Sequence, residues 1–376
     1  MNLEPFALER WQSIWEHRVE MNISESGVQP LRVEELLETD EDRSALLAQE
    51  LAYTQTNGTP ELRAAIASMY PGATPDHVEV TNGGSEANCI VLWHLVQPGD
   101  AVVMMTPNYM QIDGIARGLG ATVLEWPLVL DDGMRWGLDI AALDRLVTRQ
   151  TRVIVVCNPN NPTGARFGSS DLDGICRIAR QAGAWIVSDE IYRGAELDGS
   201  ITPTMWGRYE RVIVTSGLSK AYGLPGLRIG WVAGPPELVA TLWGVHDYTT
   251  IAPGALNDRL ARIALTPERR ARLLTRTREI LRSNYPVVRR WIDGRAASLT
   301  SVPPDAGAIA FVQYRQAINS TLLVERLRDE AGVLVVPGDH FGMDGYLRIG
   351  FGSDRARLSE ALIRIGRVLD GIPHAR

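Results

Sequence analysis

From about residue 78 to residue 235, short β-branched runs alternate with longer amphipathic stretches. The runs are Val78–Thr81, Ala101–Met105, Ala121–Glu125, Val153–Cys157, Trp185–Ser188, Val212–Thr215 and Ile229–Ala233. Helical periodicity fills most of the gaps, as in Glu86–Val96, Leu138–Val147 and Asp171–Gln181. Apolar runs this continuous predict strands buried on both faces, and their alternation with helices predicts a largely parallel sheet covered on both sides. After residue 255 the pattern turns helical, with an Arg-rich amphipathic stretch from about Pro267 to Trp291 whose arginines read as a solvated face. A smaller α+β unit follows, with Ile309–Gln313, Val333–Val336 and Leu347–Phe351 as strands and Asp354–Leu369 as a closing helix.

Composition narrows the function classes. The chain has 376 residues, 45% hydrophobic and 22% charged, enough for a large core and two packed domains. A net charge of −7 without a basic block gives no electrostatic footprint for nucleic acid or anionic membrane. No apolar run approaches the ~20 residues of a membrane span. The charged, amphipathic N-terminus lacks the apolar core of a signal peptide. Cys89, Cys157 and Cys176 are scattered without metal-ligand spacing, so reduced thiols in a cytoplasm are expected and no metal site is.

The basic residues comprise 37 arginines and a single lysine, Lys220. Arginine replaces lysine well in surface ion pairs, but it cannot lose a proton and act as an amine nucleophile. A lone surviving lysine therefore points to a required amine. Its surroundings agree. Asn82-Gly83-Gly84-Ser85 follows one strand and opens a helix, a setting suited to phosphate. The loop from Asn158 through Asn161, Pro162, Thr163 and Gly164 follows Val153–Cys157, and Ser188-Asp189-Glu190-Ile191-Tyr192 follows Trp185-Ile186-Val187. Lys220 itself comes after Val212–Thr215, with Gly223, Gly226 and Arg228 beyond it. In an open α/β sheet all of these fall on the ligand-binding rim. An amine, an acid and a phosphate cradle on one rim are what pyridoxal phosphate requires.

Those motifs, NPNNPTG, SDEIY and SGLSKAYGLPGLRIG, resemble the class I/II aminotransferases of the aspartate aminotransferase superfamily, the fold-type I pyridoxal phosphate enzymes. The resemblance spans essentially the whole chain. It implies a large cofactor-binding α/β domain over residues 33–279, and a small α+β domain from residues 1–32 and 280–376. It implies that Lys220 forms the Schiff base and shuttles the Cα proton, that Asp189 pairs with the pyridine nitrogen, and that Asn161 and Tyr192 bond the phenolic oxygen. Gly83, Gly84, Ser85, Ser219 and Arg228 correspond to the phosphate cradle, and Tyr109 to the aromatic stacked on the ring. Arg348 corresponds to the clamp on the substrate carboxylate, where a bidentate fork is the reason for arginine. Tyr53 corresponds to the tyrosine that reaches the neighbouring subunit's phosphate, which implies a homodimer. A neutral Lys220 is needed for proton transfer, so its pKa is expected to be lowered by burial and by cations such as Arg228.

The implied activity is transfer of an amino group between a 2-amino acid and a 2-oxo acid. Three features depart from the family pattern. Gly217 stands where a phosphate-binding Ser or Thr is common. The substrate loop reads Asn22 to Pro30, with Gly27 as the counterpart of the family's Gly-Glu-Pro glycine; it loosely resembles arginine-processing members such as capreomycidine synthase. Elimination, replacement or cyclisation on an amino-acid side chain is therefore the alternative activity. The stretch Gly244–Thr250 lacks the second arginine of dicarboxylate specialists. Asp247, Asp339 and Glu25 are candidates for reading a cationic or polar side chain. His17, His77, His94, His246 and His374 read as surface or structural residues, and the role of His340 is open.

Overall fold

The computed structural model describes residues 2–131 and 134–374. A seven-stranded sheet forms its centre, in the spatial order Val78–Thr81, Gly230–Ala233, Val212–Gly217, Trp185–Asp189, Thr151–Cys157, Ala101–Thr106 and Thr122–Pro127. Gly230–Ala233 runs antiparallel to both neighbours, and every other pairing is parallel. The central strands are buried along nearly their whole length, because helices cover both faces. Two apolar clusters result, one on each face. Val102, Met104, Val153, Val155 and Ile213 point to one side, with the helix Gly84–Leu95. Val103, Met105, Ile154, Val156 and Val214 point to the other. The alternation is the period-2 geometry of a strand.

The second sheet has four antiparallel strands, in the order Leu299–Ser301, Ile309–Tyr314, Tyr346–Gly350 and Val336–Pro337. The single strand expected over Val333–Val336 is divided. Val333 and Leu334 pair in parallel with Met21 and Asn22, whereas Val336 and Pro337 pair with Arg348 and Leu347. Val335 lies at the break, and its carbonyl accepts a hydrogen bond from Trp11 Nε1 at 3.0 Å. The N-terminal segment is thereby fastened to the C-terminal sheet.

The long helix Pro267–Asp293 carries the arginines expected in solvent, and part of that expectation fails. Arg278 reaches the fully buried Glu196 at 3.2 Å, and Arg269 pairs with Asp42. Asp354 caps the final helix Arg355–Asp370 by accepting from the Ala356 and Arg357 N–H groups. No helix among the described residues is long and apolar enough to cross a membrane.

Candidate active site

One cleft of about 470 Å³ opens at the rim where the strands end. Ten of the residues singled out by sequence line it: Gly84, Ser85, Tyr109, Asn161, Asp189, Tyr192, Ser219, Lys220, Arg228 and Arg348. Trp185–Asp189 ends in Asp189 itself, and Val212–Gly217 ends three residues before Lys220. Because Gly230–Ala233 runs in reverse, Arg228 reaches the same rim from that strand's beginning.

The phosphate-like corner is built by close backbone approach. Gly83 has φ +96°, and an added Cβ would collide with the Arg228 guanidinium. A Cβ on Gly230 would in turn strike the Gly83 and Gly84 backbone. Arg228 adopts φ +47°, a left-handed conformation that costs a non-glycine residue of order 1 kcal/mol or more. That backbone aims its guanidinium at Pro225 O, 3.1 Å away, and Asn82 O, 3.4 Å away. The first N–H groups of the helix Gly84–Leu95 have no intrahelical partner and face the same corner. Gly217 is explained here: its Cβ would lie 2.8 Å from Ile229 O and 3.1 Å from Gly230 Cα.

At the opposite end of the cleft, Arg348 is 2% exposed. Its Nη1 donates to Asn161 Oδ1 at 3.0 Å and its Nη2 to Ser24 O at 2.7 Å, while Nε has no partner. Tyr192 donates to Ser26 Oγ at 2.8 Å. Tyr109 donates to Glu9 Oε1 at 2.6 Å and meets Phe6 edge-on.

Asp189 accepts from Ile191 N at 3.0 Å and Asn88 Nδ2 at 3.3 Å, and Thr215 fixes Asn88 through a 2.7 Å bond. Burial pushes the Asp189 carboxyl above its ordinary value, against those two donors. Among the described residues it has no ion-pair partner. A carboxylate so placed fits a protonated ring nitrogen, and the Gly83–Arg228 corner fits a phosphate, so the donor set suits pyridoxal phosphate.

Lys220 departs from expectation. Burial lowers its pKa, but Glu25 and Tyr192 outweigh burial, and the net shift is upward. Arg228 is not among the causes. Glu25 Oε2 lies 3.5 Å from Lys220 Nζ, and this pairing holds the free amine protonated.

Three residues lie outside the lining. Gly83 stands behind Arg228, a Cβ added to Gly27 would lie 3.3 Å from Ser219 O and 3.6 Å from the Lys220 side chain, and Tyr53 is 86% exposed. Of the acids considered for side-chain recognition, only Glu25 reaches the cleft. Asp339 instead ties down the start of the helix Ser320–Ala331, accepting from Ser320 Oγ at 2.6 Å and Thr321 Oγ1 at 2.8 Å. Asp247 is exposed. His340 is half-buried outside the lining, and His246 is fully buried. Sequence reasoning missed Asn88, one turn after Ser85 on the same helix face, a spacing that could have found it. It also missed Glu9, Gln12, Ser13 and Glu16, which form a wall from the N-terminal helix.

Comparison with known proteins gives the same picture. The family model described as aminotransferase class I and II matches residues 24–365. Capreomycidine synthase of Streptomyces vinaceus is 34% identical over 321 residues, 85% of this chain and 80% of that protein. Aspartate/prephenate aminotransferase of Thermus thermophilus is 30% identical over 336 residues, 87% of this chain and 86% of that protein. The crystal structure of a pyridoxal phosphate-dependent aminotransferase from Streptococcus suis superposes over 100% of both chains, with a TM-score of 0.92 and 31% identity. A fold-type I sheet, a rim that gathers one lysine, one unpaired carboxylate and one buried arginine, and these matches lead to one conclusion: the chain belongs to the class I and II aminotransferases, a pyridoxal phosphate-dependent family of enzymes.

Proposed function

We propose that this enzyme moves an amino group between a 2-amino acid and a 2-oxo acid, with Lys220 as the covalent anchor of pyridoxal phosphate. The observation that carries the proposal is the placement of the chain's only lysine in one cleft with Asp189, Arg228 and Arg348. When bound, the cofactor supplies an aldehyde for the amine and a ring that accepts the electrons released at the substrate α-carbon.

The protein's part follows from its residues. Arg348 binds the α-carboxylate through the fork that Asn161 and Ser24 hold in place. Asp189, with Asn88 and Thr215 behind it, keeps the ring nitrogen protonated. Arg228, Ser85, Ser219 and the Gly84 N–H anchor the phosphate, with Gly83 admitting Arg228. Tyr109 would hold the ring from the side of the cleft it lines, and Asn161 and Tyr192 would bond its phenolic oxygen. Gly27 backs the lysine. Lys220 Nζ, when free and neutral, would serve as the base that takes the substrate Cα proton and holds it for return.

The working enzyme is read as a cytoplasmic homodimer, with residues 33–279 as the cofactor domain and residues 1–32 and 280–376 as the small domain. Leu47, Leu51, Tyr53 and Tyr248 are each more than 80% exposed on the single chain, which supports a covered face. The three free cysteines accord with a reducing compartment.

A second reading, elimination, replacement or cyclisation of an amino-acid side chain, is favoured by the 34% identity to capreomycidine synthase. Product analysis separates the two. Purified holoenzyme is incubated with a panel of amino acids, with and without 2-oxo acids, and products are identified by mass spectrometry. Matched formation of a new oxo acid and a new amino acid supports transamination. Ammonia or a cyclised product without amino transfer overturns it in favour of the second reading.

A further inference from the structure

The cations of the cleft have duties that leave its acids unmatched. Lys220, Arg228 and Arg348 line it, against Glu9, Glu16, Glu25 and Asp189. In the proposed function Asp189 faces the ring nitrogen and Arg228 the phosphate. Arg348, buried with an unpartnered Nε, faces the α-carboxylate. Glu9 is engaged by the Tyr109 hydroxyl. Glu25 has Lys220 Nζ at 3.5 Å, but only while that amine is free. With Lys220 committed to the cofactor aldehyde, Glu25 would no longer face a free ammonium. Glu16 is then its neighbour in the same wall: burial first, and Glu25 next, push the Glu16 carboxyl up, as like charges in one cleft must.

The substrate's two ends would be read from one short segment. Ser24 O accepts from Arg348 Nη2 at 2.7 Å, and Gln12 Nε2 donates to Ser24 Oγ at 2.9 Å. Arg348 is thus fixed beside Glu25, and the helix bearing Glu16 is pinned to the same loop.

We infer that Glu25 and Glu16 bind the cationic side chain of the substrate, so that the preferred amino donor is a basic 2-amino acid carrying a distal ammonium or guanidinium. This rests on the reading of the cleft given above and specifies its substrate class. Two carboxylates lining one cleft suit a guanidinium fork, and with the Glu25 side chain 54% exposed the selectivity comes from the two acids acting together. A cation that engages Glu25 also withdraws the charge that keeps Lys220 protonated, readying the amine for the Cα proton.

The test uses the holoenzyme and ligands that cannot react. 5-Guanidinopentanoate has a carboxylate and a distal cation but no α-amino group; heptanoate is a neutral acid of similar length. Isothermal titration is expected to show the guanidino acid binding about tenfold tighter or more. That advantage should fall below about threefold in Glu25→Gln and in the Glu16→Gln/Glu25→Gln double variant, and be largely retained in Glu25→Asp. Equal binding of the two ligands to the unmodified enzyme, or an undiminished advantage in the double variant, overturns the inference. Steady-state assays distinguish its failure from that of the broader reading. Equal kcat/KM for L-arginine, L-ornithine and L-norleucine removes only the side-chain specificity. Conversion of no amino acid at all removes the reading of the cleft, and this inference with it.

Discussion

Asn161 and Arg348 meet across the cleft, the Arg348 Nη1 donating to Asn161 Oδ1 at 3.0 Å. One residue comes from the proline-rich loop after Thr151–Cys157, the other from the second sheet. The contact therefore joins the two sheets at the place where substrate is expected. Removing it leaves a buried guanidinium with one fewer partner, a loss of about 1–3 kcal/mol. Asn161→Ala is expected to raise KM for the amino donor about tenfold or more, with a smaller effect on kcat. Arg348→Lys, which keeps the charge but loses the fork, should lower kcat/KM by about two orders of magnitude. Steady-state kinetics on both variants checks this pair.

Gly217 is set by packing rather than by the phosphate. Gly217→Ser would place a Cβ 2.8 Å from Ile229 O, between strands that are hydrogen-bonded there. The variant is expected to lose about 1–3 kcal/mol of stability and to bind cofactor no more tightly. Thermal unfolding and a cofactor titration read the two effects separately.

The seven strands were legible because most are buried on both faces, which leaves an apolar run; the edge strand Thr122–Pro127, half exposed, still keeps Val123, Leu124 and Trp126. The strand order was not, since Gly230–Ala233 turns back against the nearby Val212–Gly217 and then pairs with Val78–Thr81, more than a hundred residues away. The same limit explains the divided strand at Val333–Val336, where adjacent residues answer to different sheets. Lys220 stood out because the chain has no other lysine, and Asp189, Asn161 and Arg228 stood in dense motifs around strand ends. The acidic wall was invisible. Glu9 sits on the ordinary amphipathic helix Ala7–Trp15 and Glu16 ends it, and only the tertiary fold carries that helix over the cleft. The Lys220–Glu25 pairing, which reverses the expected pKa direction, joins residues far apart in sequence for the same reason. So does Arg278, whose buried partner Glu196 no periodicity could reveal.

His246 braces the turn that leads into Gly83. It is fully buried, with Nδ1 2.8 Å from Glu79 Oε1 and Nε2 3.3 Å from Glu86 Oε2. Glu86 also accepts from Asn82 N at 2.6 Å. Burial opposes a charged imidazole, but the two carboxylates outweigh it and push His246 up to about 9. The folded value lies above the unfolded value of about 6.5, so this stabilisation is complete below pH ~6.5 and is lost as pH rises through about 9. Thermal midpoints between neutral pH and pH ~10 should fall in the unmodified protein. His246→Gln should start lower and lack that component; parallel curves would contradict the assignment.

Tyr53 is expected to act on the cofactor of the other subunit. Sedimentation should show a dimer, and Tyr53→Ala should weaken cofactor binding about tenfold. Mixing Tyr53→Ala with Lys220→Ala subunits gives hybrids in which one site has both Lys220 and a partner's tyrosine. Tight cofactor binding should return in that site. No recovery in verified hybrids would show that Tyr53 does not act across the interface.

The most direct test of the account is chemical. Holoenzyme is reduced with borohydride, which fixes any linkage between an amine and pyridoxal phosphate, and is then digested and mapped by mass spectrometry. With a single lysine in the chain, the label is expected on the peptide containing Lys220 and nowhere else. Lys220→Arg should carry no label and should lose at least about a thousandfold in turnover. An unlabelled Lys220 in cofactor-loaded protein, or appreciable turnover by Lys220→Arg, would contradict the assignment of Lys220 as the catalytic amine.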